Sequence, residues 1–147
     1  MKIKKAGIAD AFMLLLLLKE MHEGAVLKIP DINTQVLANK LDELIKRGIV
    51  FVAYNKENEL MGSIGGQFVT DWWGKEQYLS DYWFFVPKRF RKSKAAIMLV
   101  KSFINRAKSS NVPVRLGHIF SGDIARKDKF YERLGFTKAG SIYVENN

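Results

Sequence analysis

The chain has 147 residues, of which 48% are hydrophobic, and a net charge of +9 from 24 Lys and Arg against 15 Asp and Glu. This length and composition predict one globular domain over residues 1–147, since no repeat, low-complexity tract or linker divides the chain. The absence of cysteine excludes disulfides, thiolate zinc sites and cysteine nucleophiles, and two histidines argue against a histidine-rich metal site, so we predict no metal.

The N-terminal region combines three lysines with the apolar run Ala11 to Leu18, which superficially resembles a signal peptide. The run is too short to cross a bilayer, and no small-residue cleavage site follows it. We therefore predict a helix over residues 10–23, buried on most sides, with Asp10 as its N-cap. The expected location is the cytoplasm, with no membrane partner.

The rest of the pattern alternates between period-two and helical spacing, and it predicts a mixed, mostly antiparallel α/β sheet with helices on both faces. The expected sheet has about six to seven strands. The predicted strands span residues 2–8, 49–54, 59–70, 78–86, 112–120 and 136–144. The predicted helices cover residues 10–23, a second stretch that includes Val36 to Ile45 and ends at Gly48, a third that includes Ala96 to Ala107, and residues 123–134.

Three glycines interrupt the strand at residues 59–70: Gly62, Gly65 and Gly66. They do not match a dinucleotide-binding fingerprint, because no helix follows them. A β-bulge, or the close approach of another backbone, is the expected reason for them.

A basic loop, residues 86–96, connects the strand at 78–86 to the next helix. The first amides of a helix have no intrahelical acceptor, and the helix dipole favours negative charge there, so the loop is a candidate phosphate site. Small residues at Ala95 and Ala96 leave room for a ligand to approach the backbone. The alternative is a solvated basic loop in which Ser93 is an ordinary N-cap.

Residues 126–136 predict a short basic helix that ends at Gly135 in a left-handed C-cap. Phe130, Tyr131 and Leu134 form an apolar seam at helical spacing, and Lys129 and Arg133 favour the negative end of the dipole. The hydroxyl of Tyr131 is therefore held on a rigid element.

The two motifs together resemble those of the GNAT superfamily of acyl-CoA-dependent N-acyltransferases. The loop matches the family signature (Arg or Gln, two residues, Gly, one residue, Gly or Ala) through Arg91, Lys94 and Ala96. Val86-Pro87 stands near the position of the family's Val-x-Pro lead-in, one residue shorter. The run from Phe130 to Phe136 is close to a full match to the family's second hallmark.

The resemblance implies that acetyl-CoA lies in a cleft where two parallel strands, 78–86 and 113–120, splay apart. The pantetheine would pair with the backbone near Phe85 and Val86, and the pyrophosphate would rest on amides 92–96. The implied cofactor-binding residues are Phe85, Val86, Arg91, Lys92, Ser93, Lys94, Ala95 and Ala96. Lys94 replaces the usual glycine, so it either crowds the backbone or adds a cation to the pyrophosphate.

The implied reaction is N-acetyl transfer from acetyl-CoA to a primary amine by direct attack, with Tyr131 as the general acid. Asp81 is the candidate general base, on the same predicted strand face as Trp83 and Phe85; its alternative role is that of an edge residue or an ion-pair partner. Glu76 and His118 are weaker candidates, the former in a loop and the latter as a satisfied strand histidine.

The sequence leaves the identity of the acceptor amine open: a small molecule, a protein or a nucleic acid could carry it. The positive net charge slightly favours an acidic or nucleic-acid-borne acceptor. The aromatic group Trp72, Trp73, Tyr78, Tyr82 and Trp83 would line an acceptor pocket, stack on bases, or simply pack. The alternative function is a non-catalytic module on the same fold that binds nucleic acid or CoA. The oligomeric state is open too, and a homodimer is compatible with the sequence.

Overall fold

Five strands form one mixed sheet in the order β1-β2-β3-β4-β5, in a computed structural model that describes residues 1–118 and 122–146. All neighbouring pairs are antiparallel except β4 and β5, which are parallel. The elements in chain order are β1 (Lys2–Lys5), α1 (Ala11–Glu23), α2 (Thr34–Arg47), β2 (Ile49–Tyr54), β3 (Leu60–Thr70), β4 (Gln77–Phe85), α3 (Ala95–Ser109), β5 (Val114–Arg115) and α4 (Ile124–Arg133).

The helices cover both faces of the sheet, as the sequence predicts. On one face, α1 and α2 pack through Leu14 and Leu41 against the β2 residues Val50 and Val52. On the other face, the side chains of α3 pack against inward residues of β2, β3 and β4. The buried members of this second core include Ile49, Ile64, Leu79, Leu99 and Phe103. Alternate residues of each strand therefore feed two separate cores.

The apolar run at the N-terminus becomes the buried side of α1, where Leu14, Leu17 and Leu18 are all buried. Asp10 holds the predicted N-cap position of α1, but its carboxylate makes no hydrogen bond to the first turn of the helix. It accepts instead from the Gly7 amide at 2.8 Å, and from the Tyr54 hydroxyl at 2.6 Å. Asp10 thus ties the entry of α1 to β2. None of the described helices is long and apolar enough to cross a membrane.

A β-bulge interrupts the pairing of β3 with β4. Gly66 lies opposite Asp81 and Gly65 opposite Trp83, so Tyr82 is an extra residue on β4. A Cβ on Gly66 would lie 1.8 Å from the Ser80 carbonyl oxygen, so glycine is required there. Both predicted reasons for the glycines, a bulge and a close backbone approach, are confirmed.

The bulge also corrects the predicted orientation of Asp81. Leu79 faces the α3 core, whereas Trp83 and Phe85 face the α1 and α2 core. The extra residue changes the alternation between them, so Asp81 shares the face of Leu79. The prediction that it shares a face with Trp83 and Phe85 is wrong.

The sheet has fewer strands than the six to seven expected. The strand predicted at 112–120 is reduced to two residues in β5, and residues 119–121 lie outside the described part. The segment predicted as a strand at 136–144 pairs with no strand in the described chain. A strand requires a partner ladder, and β5 offers a ladder of two residues, so Ile142 and Tyr143 stay exposed.

Candidate active site

Among the residues that the structure describes, the edge of β4 that faces β5 is paired at two positions and open over the rest of its length. The two strands pair at Leu79 with Val114 and at Ser80 with Arg115. The ladder ends at Arg115, and the Gly117 amide donates to the side chain of Asp81, at Oδ1, over 3.0 Å. The parallel pair therefore splays apart after Ser80, which creates the cleft that the resemblance implies.

Asp81 lies at the point where the strands separate. Burial raises the pKa of its carboxyl to about 6, although the hydrogen bond from the Gly117 amide favours the ionised form. A carboxyl with such a pKa is largely ionised at neutral pH and still holds a proton well. These properties suit a general base.

Tyr131 projects from α4 toward the same region. Gly135, with a φ of +91°, ends α4 in a Schellman motif: its amide and that of Phe136 donate to the Glu132 and Tyr131 carbonyls. Burial, and then the negative charge of Asp81, raise the pKa of the Tyr131 hydroxyl above its usual range. Tyr131 therefore keeps its proton across the physiological pH range, and it lies within electrostatic reach of Asp81.

The ring of Tyr131 is fixed by aromatic neighbours. His118 stacks on it, with ring centroids 5.5 Å apart and planes 14° apart, and Phe136 meets it edge-on at 6.0 Å. His118 Nε2 lies 3.1 Å from Asp128 Oδ1, so the imidazole is itself held in place. The sequence predicts His118 as a satisfied strand histidine; the structure pairs it with Asp128, which the sequence analysis missed. The sequence signal that could have revealed this pair is the spacing of Asp128 and Tyr131, which lie three residues apart on one helix and so on one face.

The basic loop forms a compact turn before α3. Arg91 Nε donates to the Val86 carbonyl at 2.9 Å, which anchors the guanidinium over the end of β4. Ser93 Oγ accepts from the Ala95 amide at 3.2 Å, but Lys94 and not Ser93 holds the N-cap position of α3, so the prediction of Ser93 as the N-cap is wrong. Within the described chain, four amides find no acceptor, those of Lys92, Lys94, Ala96 and Ile97.

Lys94 fits this loop without backbone strain. Its φ is −83°, which any L-residue adopts, and its side chain is exposed. The turn needs no positive φ there, so lysine in place of glycine does not strain the backbone at this position. Its ammonium is free to add positive charge beside the loop amides.

A second cation reaches the loop from α4. Burial, and then the positive charge of Arg91, lower the pKa of Lys127, whereas Asp123 opposes this effect. Arg91 and Lys127, on different elements, are therefore close enough for their charges to interact. Such an arrangement matches the two negative charges of a pyrophosphate. The sequence analysis missed Lys127, since a lysine inside a basic helix gives no signal of its own.

The aromatic residues predicted as one group are separated by the fold. Trp72 and Trp73 are 88% and 87% exposed on the turn between β3 and β4. Trp83 is buried and donates to Ser63 Oγ at 3.0 Å, and the Arg115 guanidinium covers the Tyr78 ring. Tyr82 has a half-exposed side chain and is the extra residue of the β4 bulge, next to Asp81.

The other predicted base, Glu76, follows these tryptophans in the turn between β3 and β4, and its side chain is exposed. Its carbonyl accepts from the Asp71 amide at 2.7 Å. No group of three or more metal-ligating side chains is found in the described residues.

Comparison with known proteins gives a consistent family. Residues 17–136 match the sequence model of the acetyltransferase (GNAT) family. No protein of curated function matches the chain.

Solved structures share the fold at low sequence identity. An acetyltransferase from Trypanosoma brucei superimposes with a TM-score of 0.73 at 17% identity, covering 99% of each chain. The glucosamine-6-phosphate N-acetyltransferase of Arabidopsis thaliana gives 0.75 at 14%, covering 99% of this chain and 97% of its own. A ribosomal-protein-alanine N-acetyltransferase of Brucella melitensis gives 0.71 at 14%, covering 100% of both chains. The last two structures are named for different acceptors, so the shared fold does not identify the acceptor.

Proposed function

The chain belongs to the GNAT acetyltransferase family, and we propose that it transfers an acetyl group from acetyl-CoA to a primary amine by direct attack. In this reaction the amine nitrogen bonds to the thioester carbonyl carbon, the carbon–sulfur bond breaks, and CoA leaves as a thiolate that takes a proton. The site residues are those of the β4 edge, the basic loop and α4.

The observation that carries the proposal is the anion site at the open edge of β4. Four amides without acceptors in the described chain, the anchored guanidinium of Arg91 and the ammonium of Lys127 converge there. A pyrophosphate offers acceptor oxygens to the four amides and negative charge to the two cations. Lys92, Ser93, Lys94, Ala95 and Ala96 would hold it, and the backbone of Phe85 and Val86 would guide the chain that leads to the thioester.

The protons are handled by two groups of opposite character. Asp81, with its raised pKa, accepts the proton that the attacking amine loses, directly or through water. Tyr131 supplies the proton that the leaving thiolate takes. Because the charge of Asp81 raises the pKa of Tyr131, neutralising Asp81 makes the hydroxyl a stronger acid. Proton uptake at Asp81 therefore promotes proton release at Tyr131.

The test is a thermal shift titration with acetyl-CoA and with CoA. A ligand that binds the native state alone stabilises it, by about 2.7 kcal/mol at 100 times its Kd. Arg91→Ala should reduce the shift strongly, whereas Arg47→Ala, an exposed arginine on α2, should leave it unchanged. No shift at millimolar acetyl-CoA would refute the proposal.

The alternative function, a non-catalytic module, predicts different results in two measurements, nucleic-acid binding and free-thiol release. Such a module would bind nucleic acid with a strong salt dependence and would release no free thiol from acetyl-CoA with any amine. Free-thiol release that depends on added amine excludes it.

A further inference from the structure

A cavity of about 630 Å³ lies between α1, α2 and the bulged strands, on the sheet face opposite α4. Its volume is that of a site for a small molecule. Apolar side chains form most of its wall, including Leu18, Met21, Ile29, Ile32, Leu37 and Trp83.

The polar side chains in the wall are largely engaged with the protein. His22 Nε2 donates to the Pro30 carbonyl at 2.7 Å, and Gln67 Nε2 donates to the Tyr82 hydroxyl. A ligand with many polar groups would lose its water without gaining partners, whereas an apolar body loses nothing. The wall therefore selects an apolar ligand.

The charges at the cavity disfavour an acceptor that carries an ammonium group in addition to its reacting amine. Of the described residues that line it, Glu43 is the one carboxylate, and it is ion-paired with Arg47 at 2.6 Å. Lys40 adds a positive charge. A diamine would place its distal ammonium beside Lys40 without a free carboxylate to neutralise it.

The cavity and the proposed acetyl-transfer site share strand β4. Tyr82, the extra residue of the bulge, lines the cavity and directly follows Asp81 in the chain. Beyond Ser80 the adjoining edge of β4 is open, so a group that leaves the cavity at Tyr82 arrives beside the strand edge where the thioester would lie.

We propose that the acceptor is a small primary monoamine with an apolar aliphatic or aromatic body, which fills this cavity and presents its nitrogen at the β4 bulge. The inference rests on the proposed acetyl transfer, and it runs against the acidic or nucleic-acid-borne acceptor that net charge alone favours. The excess of positive charge lies instead at the cofactor loop and α4.

The first test compares unhindered primary amines with different bodies: ethylamine, n-hexylamine, 2-phenylethylamine, ethanolamine and 1,4-diaminobutane. We expect kcat/KM for n-hexylamine and 2-phenylethylamine to exceed that for ethylamine by at least about tenfold, since apolar contacts discriminate by such factors. Ethanolamine and the diamine should be the poorest substrates. Equal kcat/KM across the series, or a preference for the diamine, would overturn the proposal.

The second test changes the wall. Ile32 lies in the connection between α1 and α2, outside both helices, so Ile32→Asn and Ile32→Trp can be made with little risk to the fold. Both should raise KM for n-hexylamine by about tenfold and leave KM for ethylamine unchanged. Val26→Asn is the matched control, since Val26 lies in the same connection, is 74% exposed and is not part of the wall.

A binding measurement separates this inference from the proposed function. If 2-phenylethylamine alone raises the melting temperature of the protein, and Ile32→Trp abolishes that shift, the cavity binds apolar amines whether or not acetyl-CoA binds. If acetyl-CoA binds and thiol is released with a polypeptide or a polynucleotide amine but with no small amine, the acetyl transfer stands and the assignment of the cavity is refuted.

Discussion

Replacing Asp81 by asparagine should stabilise the protein at alkaline pH while it destroys activity. In the folded protein, the pKa of Asp81 is about 6, against 3.8 in the unfolded chain. This difference of about two pKa units corresponds to about 3 kcal/mol of destabilisation at pH 8, where both states are ionised. Because the folded pKa is raised, this cost is absent below pH 3.8, grows as the pH rises, and is complete above pH 6.

The asparagine variant lacks this cost. We therefore expect its free energy of unfolding to exceed that of the wild type by up to about 3 kcal/mol at pH 8 and by almost nothing at pH 3. Asn keeps the oxygen that accepts from the Gly117 amide, but its NH₂ group needs a new acceptor, which offsets part of the gain. For a chain of this size, 3 kcal/mol raises the melting temperature by roughly 6 to 12 °C.

The assay is urea unfolding of both proteins between pH 3 and pH 8, with Asp42→Asn, an exposed carboxylate on α2, as the control. In parallel, kcat/KM of the wild type should rise with pH through an apparent pKa of about 6, and Asp81→Asn should lack this rise. A variant that is no more stable at pH 8 would refute the burial argument. A variant with wild-type activity and pH profile would remove Asp81 from the chemistry.

Three further substitutions test other parts of the site. Tyr131→Phe should lower kcat by about 10²- to 10⁴-fold and leave the melting shift with CoA intact, and unchanged turnover would exclude a proton-transfer role. Lys127→Met should weaken CoA binding by about tenfold or more in a calorimetric titration, whereas Lys129→Met, exposed on the same helix, should not. Gly66→Ala should destabilise the fold by about 1–3 kcal/mol in urea unfolding and abolish acetyl transfer, because its Cβ meets backbone. Gly74→Ala, with nothing within 4 Å, should change stability by less than about 0.5 kcal/mol.

Local sequence signals predicted the elements whose structure depends on neighbours in the chain. The helical spacing in α3 and the glycine after α4 both specify what the structure contains, since a buried stripe and a left-handed cap are local properties. The sequence analysis missed Asn33, whose side chain accepts from the Val36 amide at 3.0 Å and starts α2, although this cap is also a local property. The anion loop was found because free amides and cations are adjacent in sequence.

Features that depend on distant partners were predicted poorly. Asp10 is a residue type that favours side-chain capping of a helix, but its carboxylate accepts instead from the hydroxyl of Tyr54, far along the chain. The segment at 136–144 has strand-forming residues, but a strand requires a neighbouring ladder that β5 does not extend to it. Lys127 and Asp128 acquire their roles from Arg91 and His118, which lie on other segments.

The bulge at Tyr82 explains how the proposed reactants meet. In a regular strand, residues 81 and 83 face the same side, so Asp81 would point into the α1 and α2 core with Trp83. The extra residue sends Asp81 to the α4 side, beside Tyr131, and leaves Tyr82 at the cavity on the other side. The amine would then approach β4 from one face of the sheet, and the proton-handling groups lie on the other face. The two sides meet around the open edge of β4, across the thickness of a single strand. Gly66 permits this arrangement, so its lack of a side chain is as necessary to the proposed chemistry as the carboxylate it places.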